Sequence, residues 1–255
     1  MKLDNSQKIG ITESGEISFN LEAFDRLYDG NIIITKRLTD KLIEKLVEHR
    51  DKCILHLTCT GFGGSKVEPL SPKPVQSSNM LRKLIELGFH VSHVVLRIDP
   101  IVPTDTGMET AKGVLEAFKG IGVERVRISF LDMYKHVQKR FTDNGIDIPK
   151  EYYGVGDVVQ FHADLDVRKH CVADLQKYAT ELGYGILEAC GEPGIESISC
   201  ISQKDIDILG LTDKVELIGN KNQRNSCGCP ANKTELLKVG RPHRCENACL
   251  YCFWK

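Results

Sequence analysis

Residues 31–61 read NIIITKRLTDKLIEKLVEHRDKCILHLTCTG. A β-rich run, NIIITK, gives way to an amphipathic helical stretch, LTDKLIEKLVEHRDK, and a second β-rich run, CILHLTCTG, follows. Two strands joined through a helix are the unit of a parallel sheet, and the unit recurs on both sides of this stretch. Upstream, IGITES reads as a short strand and SFNLEAFDRLYDG as a helix closed by Gly30. Downstream, the helix SSNMLRKLIELGF, with a Ser cap and Gly88 near its end, leads into the strand VVLRIDPIVP. DTGMETAKGVLEAFKGIG carries a capping-box-like Thr106 to Glu109 pair and precedes VERVRISFLDM, while DVRKHCVADLQKYATELGY precedes GILEAC. The pattern gives about six strands, so the expected fold is α/β, a partial (β/α)6 TIM-type barrel.

No internal repeat, low-complexity tract or linker divides the sequence. Residues 1–255 are expected to form one domain, with a barrel over 1–189 and a cysteine-rich C-terminal part over 190–255. Lys135 to His162 is the least regular region and reads as an insertion or a substrate loop. At 255 residues and 41% hydrophobic content the chain can bury a substantial core. MKLDNSQK has no apolar run behind its charges, and no stretch approaches the roughly 18 apolar residues of a membrane span, so a soluble, cytoplasmic protein is expected. The formal net charge of −1 conceals an asymmetry: Lys221 to Lys255 holds seven Lys or Arg against Glu235 and Glu246, a local balance of +5. This is either a solvated tail or a cationic wall suited to an anionic ligand or nucleic acid.

Ten cysteines without a secretion signal point to metal binding rather than to disulfides. Seven of them follow residue 189. The chain ends RCENACLYCFWK, placing Cys245, Cys249 and Cys252 in a C-x3-C-x2-C pattern. A structural zinc usually takes four ligands, so three thiols leave one coordination position over. Cys190, Cys200, Cys227 and Cys229 equal the ligand count of a closed second site, an auxiliary [4Fe–4S] cluster or a zinc that pins the tail. The alternative is buried free cysteines.

Chemistry in such a barrel collects where strands end. Those ends carry Lys36, then Thr58, Cys59 and Thr60, then Arg97 with Asp99, Asp132, and Glu188 with Cys190. Polar termini on nearly every strand fit a ligand cavity. Asp99 and Arg97 suit either a salt bridge or a functional role. Gly61, Gly63 and Gly64 suit a plain turn or close approach to a cofactor.

The C-x3-C-x2-C loop, with Tyr251 before its last cysteine, resembles the cluster loop of the radical S-adenosylmethionine superfamily. The resemblance implies that Cys245, Cys249 and Cys252 hold a [4Fe–4S] cluster whose open iron chelates S-adenosylmethionine, with Tyr251 packing beside it. That superfamily normally places the loop after its first strand, so the chain looks circularly permuted, with the cluster loop at its C-terminus. IIITKRLTDKLIEKL, ILHLTCTGFGGSKVEPLSP with Glu68, and LRKLIELGFHVSHVVLRIDPIVP are similar, in order, to segments of spore photoproduct lyase. A closer likeness is to a group of uncharacterised, permuted radical S-adenosylmethionine proteins.

Carried across, the likeness implies that Lys36 and the hydroxyl of Thr58 or Thr60 help hold S-adenosylmethionine; Arg97 and Asp99 are assigned to the same cofactor region from their place at a strand end. The lyase's hydrogen-donor cysteine has no counterpart here. The implied activity is radical-initiated hydrogen abstraction from an organic substrate, with a nucleic-acid base or nucleotide as the candidate class. A reductase such as flavodoxin or ferredoxin is the expected electron donor. The competing class is a non-catalytic zinc or iron–sulfur protein with a structural or nucleic-acid-binding role. His243, beside Arg241 and Arg244, reads as a surface histidine.

Overall fold

The fold is a computed structural model in which residues 4–219, 227–237 and 245–253 are described. Eight strands form one sheet: β1 (Ile9–Ile11), β2 (Gly30–Thr35), β3 (Cys53–Thr58), β4 (Val94–Ile101), β5 (Arg125–Phe130), β6 (Ile186–Cys190), β7 (Ser197–Ile198) and β8 (Lys233–Glu235). Their order is β7-β6-β5-β4-β3-β2-β1-β8, and every pairing is parallel. The result is a TIM-like half-barrel. Among the described residues its two edge strands, β7 and β8, are not paired with each other.

Side chains alternate along each strand, and both faces are buried. Ile33, Leu55, Leu57, Leu96, Ile98, Val126 and Ile128 face outward into a core shared with the helices. Those are α1 (Asp40–Glu48), α2 (Pro74–Glu86), α3 (Asp105–Phe118) and α5 (Leu165–Glu181). Each fully buried Leu or Ile on this face contributes roughly 1.5–3 kcal/mol. The other face turns inward, where Ile9, Ile11, Ile32, Ile54 and Val95 pack against Ile206 of α6 (Gln203–Ile208) and against Leu211 and Val215. This apolar plug closes the amino-terminal end of the half-barrel.

A buried polar layer lies above the plug. Arg127 Nη1 donates to Cys200 O at 2.8 Å, Arg127 Nη2 to Asp205 Oδ2 at 3.0 Å, and Arg125 Nη1 to Asp205 Oδ1 at 2.6 Å. Arg127 Nη1 also lies 3.1 Å from His56 Nε2. Arginine offers no acceptor, so Nε2 accepts and His56 carries its proton on Nδ1. Burial, followed by the charge of Arg127, holds the His56 pKa well below its ordinary value.

The structure corrects several expectations. The strand count is eight rather than six, because β7 and β8 are two and three residues long and too short to show a period. SFNLEAFDRLYDG forms two 3-10 turns, Ile17–Phe19 and Leu21–Arg26, and Gly30 opens β2 instead of closing a helix. The cap of α3 is Thr104, whose side chain accepts from Gly107 N, so helix formation starts before the Thr106 to Glu109 pair. The second long helix begins at Pro74, whose fixed φ suits a first helical position, and not at the serines. Part of the irregular region folds as α4 (Lys135–Asp143). Among the described residues, no helix is long and apolar enough to cross a membrane.

Candidate metal and cofactor site

The carboxyl ends of the strands surround a cavity of about 600 Å³, a volume typical of cofactor pockets. The inward alternation sets its depth. On β3, Ile54 belongs to the plug, His56 to the polar layer and Thr58 to the cavity wall. Ser14 and Glu16 line it after β1, Lys36 after β2, Arg97 and Asp99 from β4, Ser129 from β5 and Cys190 from β6.

The terminal loop completes the wall: Cys245, Asn247, Cys249, Tyr251, Cys252 and Phe253 all line the cavity. Four anchors hold the loop there. Asn247 Nδ2 donates to Glu16 Oε2 at 3.2 Å, and Arg37 Nη2 donates to Asn247 Oδ1 at 3.3 Å. Leu250 N donates to Val67 O at 2.9 Å. Arg140 of α4 donates to Leu250 O at 3.2 Å and to Cys252 O at 2.6 Å. Cys249 Sγ lies 3.8 Å from Ser71 Oγ, and burial, with Lys36 opposing, pushes its thiol up to about 11. Three thiols therefore face one cavity from a loop fixed on several sides.

The cations beside them are engaged. Lys36 Nζ lies 3.0 Å from Glu68 Oε1 and 5.5 Å from the centre of the Tyr251 ring. Burial opposes its charge, but Glu68 and Cys249 outweigh burial and raise its pKa. Arg97 pairs with Asp99, which makes the salt bridge the observed state of that pair. Among the described residues, the buried hydroxyls of Ser14, Thr58 and Tyr251 have no hydrogen-bond partner. Unpaired buried polar atoms lining a cavity are the groups a polar ligand would satisfy.

A second set of thiols reaches the same wall, with Cys190, Cys200 and Cys227 in the lining and Cys229 buried behind it. Cys190 and Cys200 have their sulfurs 3.7 Å apart, and Cys227 and Cys229 theirs 3.1 Å apart. Cys200, Cys229 and Glu13 place their ligand atoms within 4.8 Å of one another. The four cysteines thus form two close pairs that approach each other through Cys200 and Cys229. Hydrogen bonds from Cys190 and Cys229, with Arg97 and His56 behind them, hold Cys200 well below the ordinary thiol range. Glu13 is tied by Lys233 Nζ at 2.8 Å, and burial raises its pKa.

Thr58 lines the cavity, whereas Thr60 stands outside its lining and accepts from Phe62 N at 3.2 Å. Glu188 also stands outside the lining, and Asp132 lines it with His162 at 3.1 Å. The glycine turn approaches the protein's own backbone: Gly63 bridges to Glu68, and a Cβ on it would sit 2.0 Å from Pro72 O. Of the seven basic residues counted in the tail, Lys233 is described. Lys221, Arg224, Lys238, Arg241, Arg244 and Lys255, with His243, lie outside the described residues. Sequence reasoning missed Glu16, Asn247, Ser14 and Glu13. The position of Asn247 between two cysteines was an available signal for one of them.

No curated protein matches the chain. Among solved structures, the lysine/ornithine decarboxylase from Vibrio vulnificus, complexed with cadaverine, is similar at 14% identity and a TM-score of 0.34. That match covers 62% of this chain and 38% of the decarboxylase. A "putative phosphonomutase" from Burkholderia cenocepacia J2315 is similar at 12% identity and a TM-score of 0.35, covering 90% of this chain and 87% of that one. Residues 25–254 match the family described as Domain of unknown function (DUF1848), and the chain belongs to that family.

Proposed function

We propose that the protein is a radical S-adenosylmethionine enzyme of circularly permuted organisation, in which Cys245, Cys249 and Cys252 hold a [4Fe–4S] cluster. The observation that carries this reading is the placement of the three thiols on one cavity of about 600 Å³, in a loop that follows the last strand. The donor set fits, since three cysteines ligate a cubane and leave one iron for a substrate or cofactor. When bound, such a cluster supplies the electron that cleaves S-adenosylmethionine, giving a 5′-deoxyadenosyl radical that abstracts hydrogen from the substrate. The chain's own residues would position the cofactor. Thr58 and Ser14 offer unpaired hydroxyls, Lys36 retains further N–H donors beyond its bond to Glu68, and the Arg97–Asp99 pair presents both charges to the cavity. A flavodoxin or ferredoxin reductase is the proposed electron source.

Anaerobic reconstitution with iron and sulfide, followed by reduction in the presence of S-adenosylmethionine, should produce 5′-deoxyadenosine. Cys245→Ala, Cys249→Ala and Cys252→Ala should each abolish it, as should truncation after Gly240, which removes 15 residues. Cofactor cleavage that survives these changes would overturn the assignment.

The proposed substrate class is a nucleic-acid base or nucleotide derivative. The likeness of segments between Ile32 and Pro103 to a lyase of thymine photoproducts supports it, together with the +5 balance of residues 221–255. Phosphate contacts would make binding steeply salt-dependent. Binding to DNA, RNA and nucleotides at two salt concentrations should weaken in Arg241→Gln and Arg244→Gln, with a shallower salt slope. Salt-independent behaviour would favour a peptide or small metabolite.

A further inference from the structure

The two edges of the half-barrel carry matching thiols. Cys190 is the last residue of β6, and Cys200 follows β7 by two residues. Cys227 and Cys229 precede the first residue of β8, Lys233, by six and four positions. One pair therefore stands on the β7 side and the other on the β8 side, and among the described residues the two edges are not hydrogen-bonded to each other. The two sides meet at Cys200 and Cys229. We infer that Cys190, Cys200, Cys227 and Cys229 bind a single tetrahedral divalent ion of the zinc class, which clasps the two edges of the sheet together.

Sulfur spacing favours one ion over a cluster. Metal–sulfur bonds of about 2.3 Å in a tetrahedron hold the sulfurs about 3.8 Å apart; Cys190 and Cys200 stand at 3.7 Å, and Cys227 and Cys229, at 3.1 Å, would part slightly on binding. A cubane places its thiolates on separate irons, farther apart than the ligands of one ion. Cys200 and Cys229 already lie within 4.8 Å of each other, so closing the tetrahedron requires Cys190 and Cys227, each beside one of them, to turn toward the same point.

The surroundings suit a metal bound to four thiolates, which carries a net charge of −2. Arg97 and Lys233 lie near these thiols, and Arg127 fixes the Cys200 backbone through its carbonyl at 2.8 Å. Cys200 and Cys229 are buried, and burying unpaired thiolates would be costly without an ion. Glu13 is the competing ligand, but Lys233 already binds its carboxylate at 2.8 Å. This inference stands apart from the terminal loop and does not depend on its cluster.

The test uses the full chain carrying Cys245→Ala, Cys249→Ala and Cys252→Ala together, so that any metal retained belongs to the second site. Purified without oxygen, it should hold one zinc per chain and no acid-labile sulfide. Its Co2+-exchanged form should show the absorption of a tetrahedral four-thiolate centre. Cys200→Ser and Cys229→Ser should weaken zinc retention by more than the roughly 100-fold that outer-shell changes cost, while Glu13→Gln should weaken it by no more than that. Should those serine variants fail to fold, the parent decides: a chelator should lower its melting temperature, and added Zn2+ should restore it. Iron with sulfide in cluster proportion would overturn the inference. So would a melting temperature indifferent to chelator, or loss of zinc in Glu13→Gln but not in Cys227→Ser.

Discussion

Asn247 and Glu16, 231 positions apart in the chain, are joined by a hydrogen bond of 3.2 Å between the Asn247 side-chain amide and Glu16 Oε2. Glu16 also accepts from Lys36 N at 2.9 Å and the Thr35 hydroxyl at the end of β2, and from Ser18 N at 3.2 Å. One carboxylate thus fixes the cysteine loop to the strand end that presents Lys36.

Asn247→Ala should lower stability by about 1–3 kcal/mol, because it leaves part of a buried carboxylate unsatisfied. Asn247→Asp, which sets a second carboxylate against Glu16, should be worse. Urea unfolding measures both effects. Iron retained after anaerobic reconstitution should fall in the same order.

Lys36→Met strands Glu68, whose side chain is 2% exposed. With Lys36 itself at 18% exposure, the cost should be about 1–3 kcal/mol, below that of breaking a fully buried pair. Adding Glu68→Leu removes the stranded charge and should recover most of that loss. S-adenosylmethionine binding, measured by equilibrium dialysis, should stay weak in the double variant. Recovery of both properties together would confine Lys36 to a structural role.

Asp205 gives the protein an acid limit. Burial opposes its charge, but the guanidiniums of Arg127 and Arg125 hold its carboxyl well below the usual carboxylate range. A carboxyl depressed on folding stabilises the native state above its unfolded pKa of about 3.9. That contribution is lost as pH falls through the folded value. Wild-type stability should therefore drop steeply below about pH 4, and the drop should be shallower in Asp205→Asn. At pH 7 that variant should be less stable by about 3–5 kcal/mol, because two guanidiniums lose their buried partner. Urea midpoints across the pH range supply both measurements.

Gly63→Ala places a Cβ 2.0 Å from Pro72 O, against backbone that cannot rotate away. The Gly63–Glu68 bridge should open, moving Glu68 from Lys36 and Val67 from Leu250. The expected outcome is faster amide exchange over residues 63–72 and weaker iron retention. An unchanged exchange pattern would show that the turn can yield.

The strands legible in the sequence are those buried on both faces. NIIIT and CILHLT read as continuous apolar runs because helices cover one side and the plug the other. KTE of β8 carries no such signal, since it sits on an edge and pairs with three residues of β1. The terminal cysteines were readable from spacing within one loop. Their anchors were not, because Glu16 and Arg140 reach them from distant segments, and nothing local marks a glutamate or arginine for that role. The meeting of Cys200 with Cys229 depends likewise on how the sheet curves, which a count of cysteines cannot reveal.

The apolar plug has a kinetic consequence. Ile9, Ile54, Val95 and Ile206 are all 0% exposed, so the amino-terminal end of the half-barrel is shut and the terminal loop lines the opposite end. Two ligands sharing such a space must queue. Whatever rests on Thr58 has to be seated before a second molecule settles above it beside Phe253, and it leaves only after that molecule has gone. A cofactor and a substrate that both enter past the terminal loop, as the proposed function requires, would then bind in compulsory order, the upper one slowing escape of the lower.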